Sequence, residues 1–566
     1  MNSLSDDFWR QIPRPPASQL LISPGSFPGG KKSHEEIDQL LGMSIFTGAR
    51  PFSTFDSNEM RLLVSALDPT YRIPGINKII ESILPHCYAT VQDEVFQKIT
   101  KSQYLNVSLD ESTDIRKRRI LNISVSDSKR SYFIGLRDLQ DETATAENLA
   151  NWIITELQDL TNNDLSRINS ITTDTCSTMH SLWGILASRE ETKHVFSLGC
   201  DSHGLQLLIK DIILLPSISK VFRNAQLIVT HFNTAPLQLA VLRQTQLQEY
   251  KEERALLGSI ITRWGSQYLM LQSLKNNEKA LTQYVRDNRC KDEIKSILRS
   301  MDFWDDLSQI LVLLKPIHEH IKASEAVASH AGCVLRRWFG IMRHLETFQK
   351  SWTVGNDISS YMASRFHDRM RRQVQDLHWA AYYLNPLIIH EDMPSSLQGK
   401  VFQAIERYCT QKPQEATLQF AQFRTSAGEF FQSRCWSHKT DPKSFWEVQK
   451  STSQASRELS TFALRLFNTT ATSAPSERAF SAQNRQLTLS RNRMTSAHTD
   501  MVTFIYLNAR SLRDEQEIED NNDHLAEEDN LISRWGEMPH ILEEPLQLEN
   551  ETALIQAAQA AQVLQA

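Results

Sequence analysis

Two aspartates stand where short apolar runs end. Val107-Ser108-Leu109-Asp110 and Ile171-Thr172-Thr173-Asp174 each read as a strand closing on a carboxylate. If the two strands are neighbours, both side chains face the crevice outside the sheet's carboxyl edge, where open sheets bind ligands. Oxygen donors gathered there suit hard divalent cations such as Mg²⁺ or Mn²⁺. A lone strand-end Asp more often caps a turn or a helix, so spacing by itself leaves both roles open. Other candidates carry the same ambiguity. Cys200-Asp201-Ser202-His203 could offer two zinc ligands, but no second pair at a structural zinc spacing accompanies it. A buried Cys and a helix-start His explain that block equally well. Trp264, in Thr262-Arg263-Trp264-Gly265-Ser266, is either a core residue opening a helix over Tyr268–Leu274 or an aromatic face for stacking. Glu477, read alone, is a surface or ion-paired carboxylate. The run Arg116-Lys117-Arg118-Arg119 is a charged turn, a nuclear-localisation run or a phosphate contact.

The elements that must position these residues follow from periodicity. Strands are expected over Tyr104–Leu109, Ile120–Val125, Tyr132–Leu136, Ile168–Thr173 and His194–Leu198. Helices are expected over Ala144–Leu160, Cys176–Ala187 and Gly204–Leu214 between and after them. The order β-β-β-α-β-α-β is that of an RNase H-like core. Three hairpin-linked strands and a crossover helix would set the first strand beside the fourth. Residues 1–33 are rich in Pro, Ser and Gly and read as a disordered lead, and 34–101 as a helical N-terminal region with segments at Phe55–Leu67 and from Pro74. The core's first part spans 102–215. From 216 to 460 the pattern is almost wholly helical, with long segments at Ile218–Leu242, Trp304–Ala323 and Met362–Leu384. The core's last part spans 461–513, with Pro475 in the first turn of a helix behind Ser473 as N-cap. The fold class is therefore α/β plus α: an RNase H-like mixed sheet interrupted by a large helical insertion.

The late block closely resembles a known signature. Ser473-Ala474-Pro475-Ser476-Glu477-Arg478-Ala479-Phe480-Ser481, followed by Arg491-Asn492-Arg493-Met494-Thr495 and an apolar helix, is similar to the C-terminal region of hAT-type (hobo–Activator) transposases. The Asp110 and Asp174 blocks, the Cys200/His203 block and the Arg263-Trp264 pair look like that family's upstream blocks in the same order. The resemblance implies a catalytic and metal-binding triad of Asp110, Asp174 and Glu477 holding Mg²⁺ or Mn²⁺. Two such ions would promote in-line displacement at phosphorus without a nucleophilic side chain. It further implies DNA contacts by Cys200, His203, Arg263, Trp264 and Arg478, the Trp stacking on a base flipped out of the duplex. Phe480, Met501, Val502, Phe504 and Ile505 would bury a surface against a second subunit, though covering their own chain's sheet is the alternative. The expected activity is cleavage and strand transfer at transposon ends, in the nucleus, by a homodimer or larger assembly. Two departures point to a domesticated, inactive DNA-binding or dimerising derivative instead. Ser112 stands where the family's first block has Trp, and no Cys pair forms the family's zinc finger upstream. A plain RNase H-like nuclease fits the core but not the C-terminal block.

Composition bounds these readings. The 566 residues can bury two or three cores. No apolar run approaches the ~20 residues of a membrane span, and the N-terminus is not a secretory signal. Seven scattered cysteines without a Cys-x-x-Cys pair read as reduced intracellular thiols. The net charge of −6 conceals an uneven distribution. Asp514 to Glu551 holds fourteen acidic residues and one basic, Arg534, so the rest of the chain is net positive by seven. An acidic tail behind a basic body permits a DNA partner.

Overall fold

The computed structural model describes residues 32–513 apart from 114–118, 128, 140–144, 260–264, 288–290, 327–328, 352–356, 432 and 487–493. Residues 1–31 of the lead, the acidic tail, Arg116–Arg118, Arg263, Trp264 and Arg491–Arg493 thus lie outside the described residues.

Five strands form one mixed sheet: β1 (Leu105–Thr113), β2 (Arg119–Ser126), β3 (Ser131–Asp138), β4 (Ile168–Thr173) and β5 (Phe196–Gly199). Their spatial order is β3-β2-β1-β4-β5. The first three pair antiparallel as a meander, while β1 with β4 and β4 with β5 pair in parallel. The crossover helix Ala146–Thr161 connects β3 to β4, so β1 does lie beside β4.

Alternation gives the sheet two unlike faces. Leu105, Val107 and Leu109 on β1, with Leu121, Ile123 and Val125 on β2, turn toward one hydrophobic core. That core is closed by helix Leu84–Lys101, the crossover helix, helix Ser177–Ser188 and the closing helix Ser496–Arg513. The opposite face carries Asn106 and Ser108 on β1, Asn122, Ser124 and Ser126 on β2, and Ser170 and Thr172 on β4. All of these are buried too. Polar groups taken from water must find partners, and here they find them on a chain segment far away in sequence. Asn106 Nδ2 donates to the Asn468 carbonyl (2.8 Å) and Thr172 Oγ1 to that of Thr470 (2.7 Å). Ser126 shares a hydroxyl hydrogen bond with Thr470 (3.0 Å). Residues 468–473 thus strap the polar face before helix Ala474–Gln486 begins.

A second, larger core belongs to the helices between Pro216 and Phe467, which also pack on helix Asp201–Ile213 and β5. Two expected long helices are broken. Ile218–Leu242 divides at Ala235 into Pro216–Thr234 and Pro236–Tyr250, because a proline cannot donate to the preceding turn. Met362–Leu384 becomes a wide turn at Met362–Phe366 and helices His367–Gln373 and Asp376–Tyr383. Among the described residues, no helix is long and apolar enough to cross a membrane.

The closing helix differs from expectation in what it covers. Met501, Val502, Phe504 and Ile505 are all buried within their own chain, as is Phe480 on the preceding helix. Phe504 packs its ring on Tyr88 (4.9 Å between centroids) and Phe133 (6.2 Å). Asn508 clamps the backbone of edge strand β3, accepting from the Phe133 amide (2.9 Å) and donating to its carbonyl (2.8 Å). These five apolar side chains are therefore core residues rather than the face of a second subunit. The broad apolar surface exists because this helix roofs a sheet face and an edge strand together.

Candidate active site

β1 runs three residues past Asp110 instead of ending there, while β4 ends directly before Asp174. The last pair of their register is Ser108 with Thr172, so two more residues on each strand bring Asp110 and Asp174 level. Asp110 shares its face with Ser108, the polar face under the strap. Asp110 pairs across β2 with Asn122.

Helix Ala474–Gln486 is pinned onto that same spot. Ser476 Oγ donates to the Ser108 carbonyl (3.2 Å), and Asn122 Nδ2 donates to the Ser476 carbonyl (3.2 Å). Ser473 precedes the helix as expected, its carbonyl accepting from the Ser476 (2.9 Å) and Glu477 (3.3 Å) amides. The next residue, Glu477, is thereby carried over Asp110, and the two carboxyls hydrogen-bond. Burial first, then the charges of Glu477 and Asp174, hold the Asp110 carboxyl well above the usual carboxylate range. Glu477 is pushed up to about 7 by burial and by Glu325, while its hydrogen bond from Asp110 and the nearby Lys210 pull it down. The two carboxyls thus form one coupled pair that holds protons more tightly than free carboxylates do. Among the described residues, no three His, Cys, Asp or Glu side chains are drawn together closely enough to hold a metal by themselves. Asp174 acts on Asp110 through its charge, and its own carboxylate accepts from the Cys176 amide (3.2 Å).

The neighbouring acid Glu111 is turned to the other side of β1, where it binds Arg119 of β2 (2.7 Å). Asp114 lies outside the described residues.

The remaining candidates separate clearly. His203 is half-buried and lines a cavity of about 220 Å³ with Asp174. Burial lowers its pKa against the pull of Asp174, with Lys210 and Arg369 adding to the lowering, so the imidazole is neutral near pH 7. Cys200 corrects the expectation of a DNA contact, because it is fully buried. Its Sγ accepts from the Ser473 amide (3.2 Å), and burial pushes the thiol up to about 11. It is a structural thiol that fixes the start of the Glu477 helix. Arg478 is exposed on that helix. Of the Arg263-Trp264 block only the end is described. Gly265 takes φ +68°, where a Cβ would strike His318 Nδ1 at 2.4 Å, and its amide donates to Gln206 Oε1 (2.9 Å).

Sequence reasoning passed over Asp201, which sits between Cys200 and His203. It is fully buried and accepts from Arg337 Nη1 (2.7 Å) and Trp338 Nε1 (2.8 Å) of the helical insertion. Its own amide donates to the Ala471 carbonyl of the strap (2.9 Å). Ser202 Oγ bonds both Ser324 (2.7 Å) and Thr472 (2.9 Å). The block is a junction where sheet, insertion and strap meet. A signal was present, because an Asp opening an apolar helix immediately after a buried strand needs a partner. The identity of that partner was not legible.

Two regions of the chain match family models. Residues 74–228 match a domain of unknown function (DUF659), and residues 427–509 match the hAT family C-terminal dimerisation region. The first match covers the sheet, and the second covers the strap, the Glu477 helix and most of the closing helix. The second supports homodimerisation. Compared with curated proteins, the chain matches none.

Proposed function

The chain is an hAT-family transposase-like protein, and from that premise we propose that it cleaves and joins DNA at transposon ends in a metal-dependent reaction. The observation that carries this reading is the meeting of Asp110 and Glu477, from opposite ends of the chain, at the edge of the sheet where Asp174 emerges. In this proposal the sheet and its flanking helices are an RNase H-like core, and the protein works as a homodimer in the nucleus.

The donor set suits Mg²⁺ or Mn²⁺. Two carboxyls that must share a proton mark an excess of negative charge in a partly dry site. Mg²⁺ is commonly held by only one or two carboxylates, with water and substrate phosphate completing its shell. Asp110, Glu477 and Asp174 would hold the ions, which when bound neutralise charge on the phosphoryl group and lower the pKa of bound water. The pair would release its protons to solvent as the ions bind, so both carboxylates become available. Asn122 and Ser476 keep the two carboxyls in place through the backbone of the Glu477 helix. His203, half-buried in the cavity that Asp174 also lines, would donate a hydrogen bond to a phosphate oxygen.

The test is direct. Full-length protein with Mg²⁺ or Mn²⁺ is expected to nick or join DNA carrying the repeats that flank its own gene. Asp110→Asn, Asp174→Asn and Glu477→Gln should each lower this by at least a hundredfold, while Glu111→Gln keeps it. Undiminished activity in the three variants would overturn the shared-site assignment. A second reading, an inactive derivative that binds DNA or dimerises, is favoured by one observation. No three ligating side chains stand ready as a cage among the described residues. Divalent cations that leave the wild-type melting temperature unmoved at pH 8, together with absent nicking, would decide for it.

A further inference from the structure

We propose that Arg372, contributed by the helical insertion, binds a backbone phosphate of the DNA strand lying in the cavity beside Asp174. This rests on the function proposed above and adds to it a residue from the helical insertion. The cavity of about 220 Å³ is lined by Asp174, Cys176 and His203 together with Arg369 and Arg372. The two arginines are not equivalent. Arg369 grips Asp211 with two hydrogen bonds (2.7 and 3.0 Å), so its charge is already met. Arg372 is exposed and, among the described residues, has no ion-pair partner, which leaves its guanidinium as the cavity's uncompensated cation.

Its position is fixed by its neighbour. Gln373 is buried, and its Nε2 donates to the carbonyl of Gly199 at the end of β5 (2.8 Å). The fit against helix Asp201–Ile213 is so close that a Cβ on Gly204 would lie 2.6 Å from Gln373 Oε1. The insertion thus reaches the carboxyl end of the sheet at an anchored point and sets a free arginine next to it. A cluster of carboxylates repels a polyanion, and a stationed guanidinium offsets that repulsion. Its planar fork also matches the two non-bridging oxygens of a phosphodiester.

A phosphate contact carries no sequence information and has a salt signature. Binding of a short labelled DNA duplex is measured in EDTA over a range of salt concentrations, for the wild type, Arg372→Gln and Arg371→Gln. Arg371 already pairs with Asp368 on the same helix (2.5 Å) and serves as the charge-matched control. Loss of one phosphate contact reduces the slope of log K against log salt by about 0.9. The expected result is that reduction in Arg372→Gln, alike on unrelated sequences, with the slope of Arg371→Gln unchanged. An unchanged slope in Arg372→Gln, or an equal loss in both variants, overturns the assignment while leaving wild-type metal-dependent nicking intact. Wild-type protein that binds no DNA would overturn both this inference and the function beneath it.

Discussion

The carboxyl pair sets a pH dependence that can be measured without any substrate. Glu477 is raised to about 7 from an ordinary 4.5, and Asp110 is raised as well, in each case with burial as the first cause. Between those values the folded protein holds protons that the unfolded chain has released. The contribution to stability is therefore full at low pH and is lost as pH rises from about 4.5 through about 7. Glu477→Gln should accordingly be more stable than the wild type at pH 8 in EDTA, by on the order of 1 kcal/mol or more, with the gap closing toward pH 5. Thermal unfolding across that range checks it, and a variant less stable at pH 8 would show the pair to be structural. The same proton must leave before a cation binds, so Mn²⁺ affinity should climb through pH 7. Asp174 was legible from the strand end it follows, and Asp110 from its strand, although that strand runs on to Thr113. Glu477 became legible only through its motif, since nothing in its local pattern tells a catalytic acid from a surface one.

At the scale of elements, the strands and the crossover helix followed from periodicity, whereas the partners of the polar face did not. Alternation along β1 and β2 reads as a half-solvated sheet, but Asn106 and Ser126 are buried under a strap that has no period of its own, and Ser108 and Asn122 under Ser476 of the helix that follows it. The closing helix shows the same limit. Its apolar stripe fits a subunit interface as well as a roof, and only the packing of Phe504 between Tyr88 and Phe133 separates the two. Replacement at this helix should therefore act on folding rather than assembly. Phe504→Ala is expected to cost about 3–5 kcal/mol, as for large-to-small changes in well-packed cores. Urea unfolding gives the stability and light scattering the mass. A variant that keeps its stability and falls from dimer to monomer would restore the interface role. The homodimerisation supported by the matched C-terminal region then has to use surface other than these five side chains.

For the whole molecule, the question is what holds the helical body to the sheet so that the Glu477 helix lands on Asp110. Both ends of that problem meet at Asp201. Its carboxylate takes Arg337 and Trp338 from the insertion, its amide takes the strap at Ala471, and Arg337 also donates to Ser329 Oγ (2.6 Å). Asp201 and Arg337 are both without exposed side-chain surface. Removing one partner of such a pair leaves a buried charge unmet, which costs about 3–5 kcal/mol, whereas removing both with apolar replacements of similar size costs far less. Arg337→Met should therefore destabilise the protein by about that amount. Adding Asp201→Leu should recover part of it, the remainder reflecting the Trp338 Nε1 and Ser329 hydroxyl left without their partner. The single variant should also lose metal-dependent nicking at temperatures where it is still folded, because the strap that delivers Glu477 is tied to the same carboxylate. Chemical unfolding of the two variants, with nicking measured below the transition, separates the possibilities. A cost under about 1 kcal/mol for Arg337→Met would mean that the pair is not the joint. Full nicking in a measurably destabilised Arg337→Met would mean that the joint holds the fold but does not aim the site.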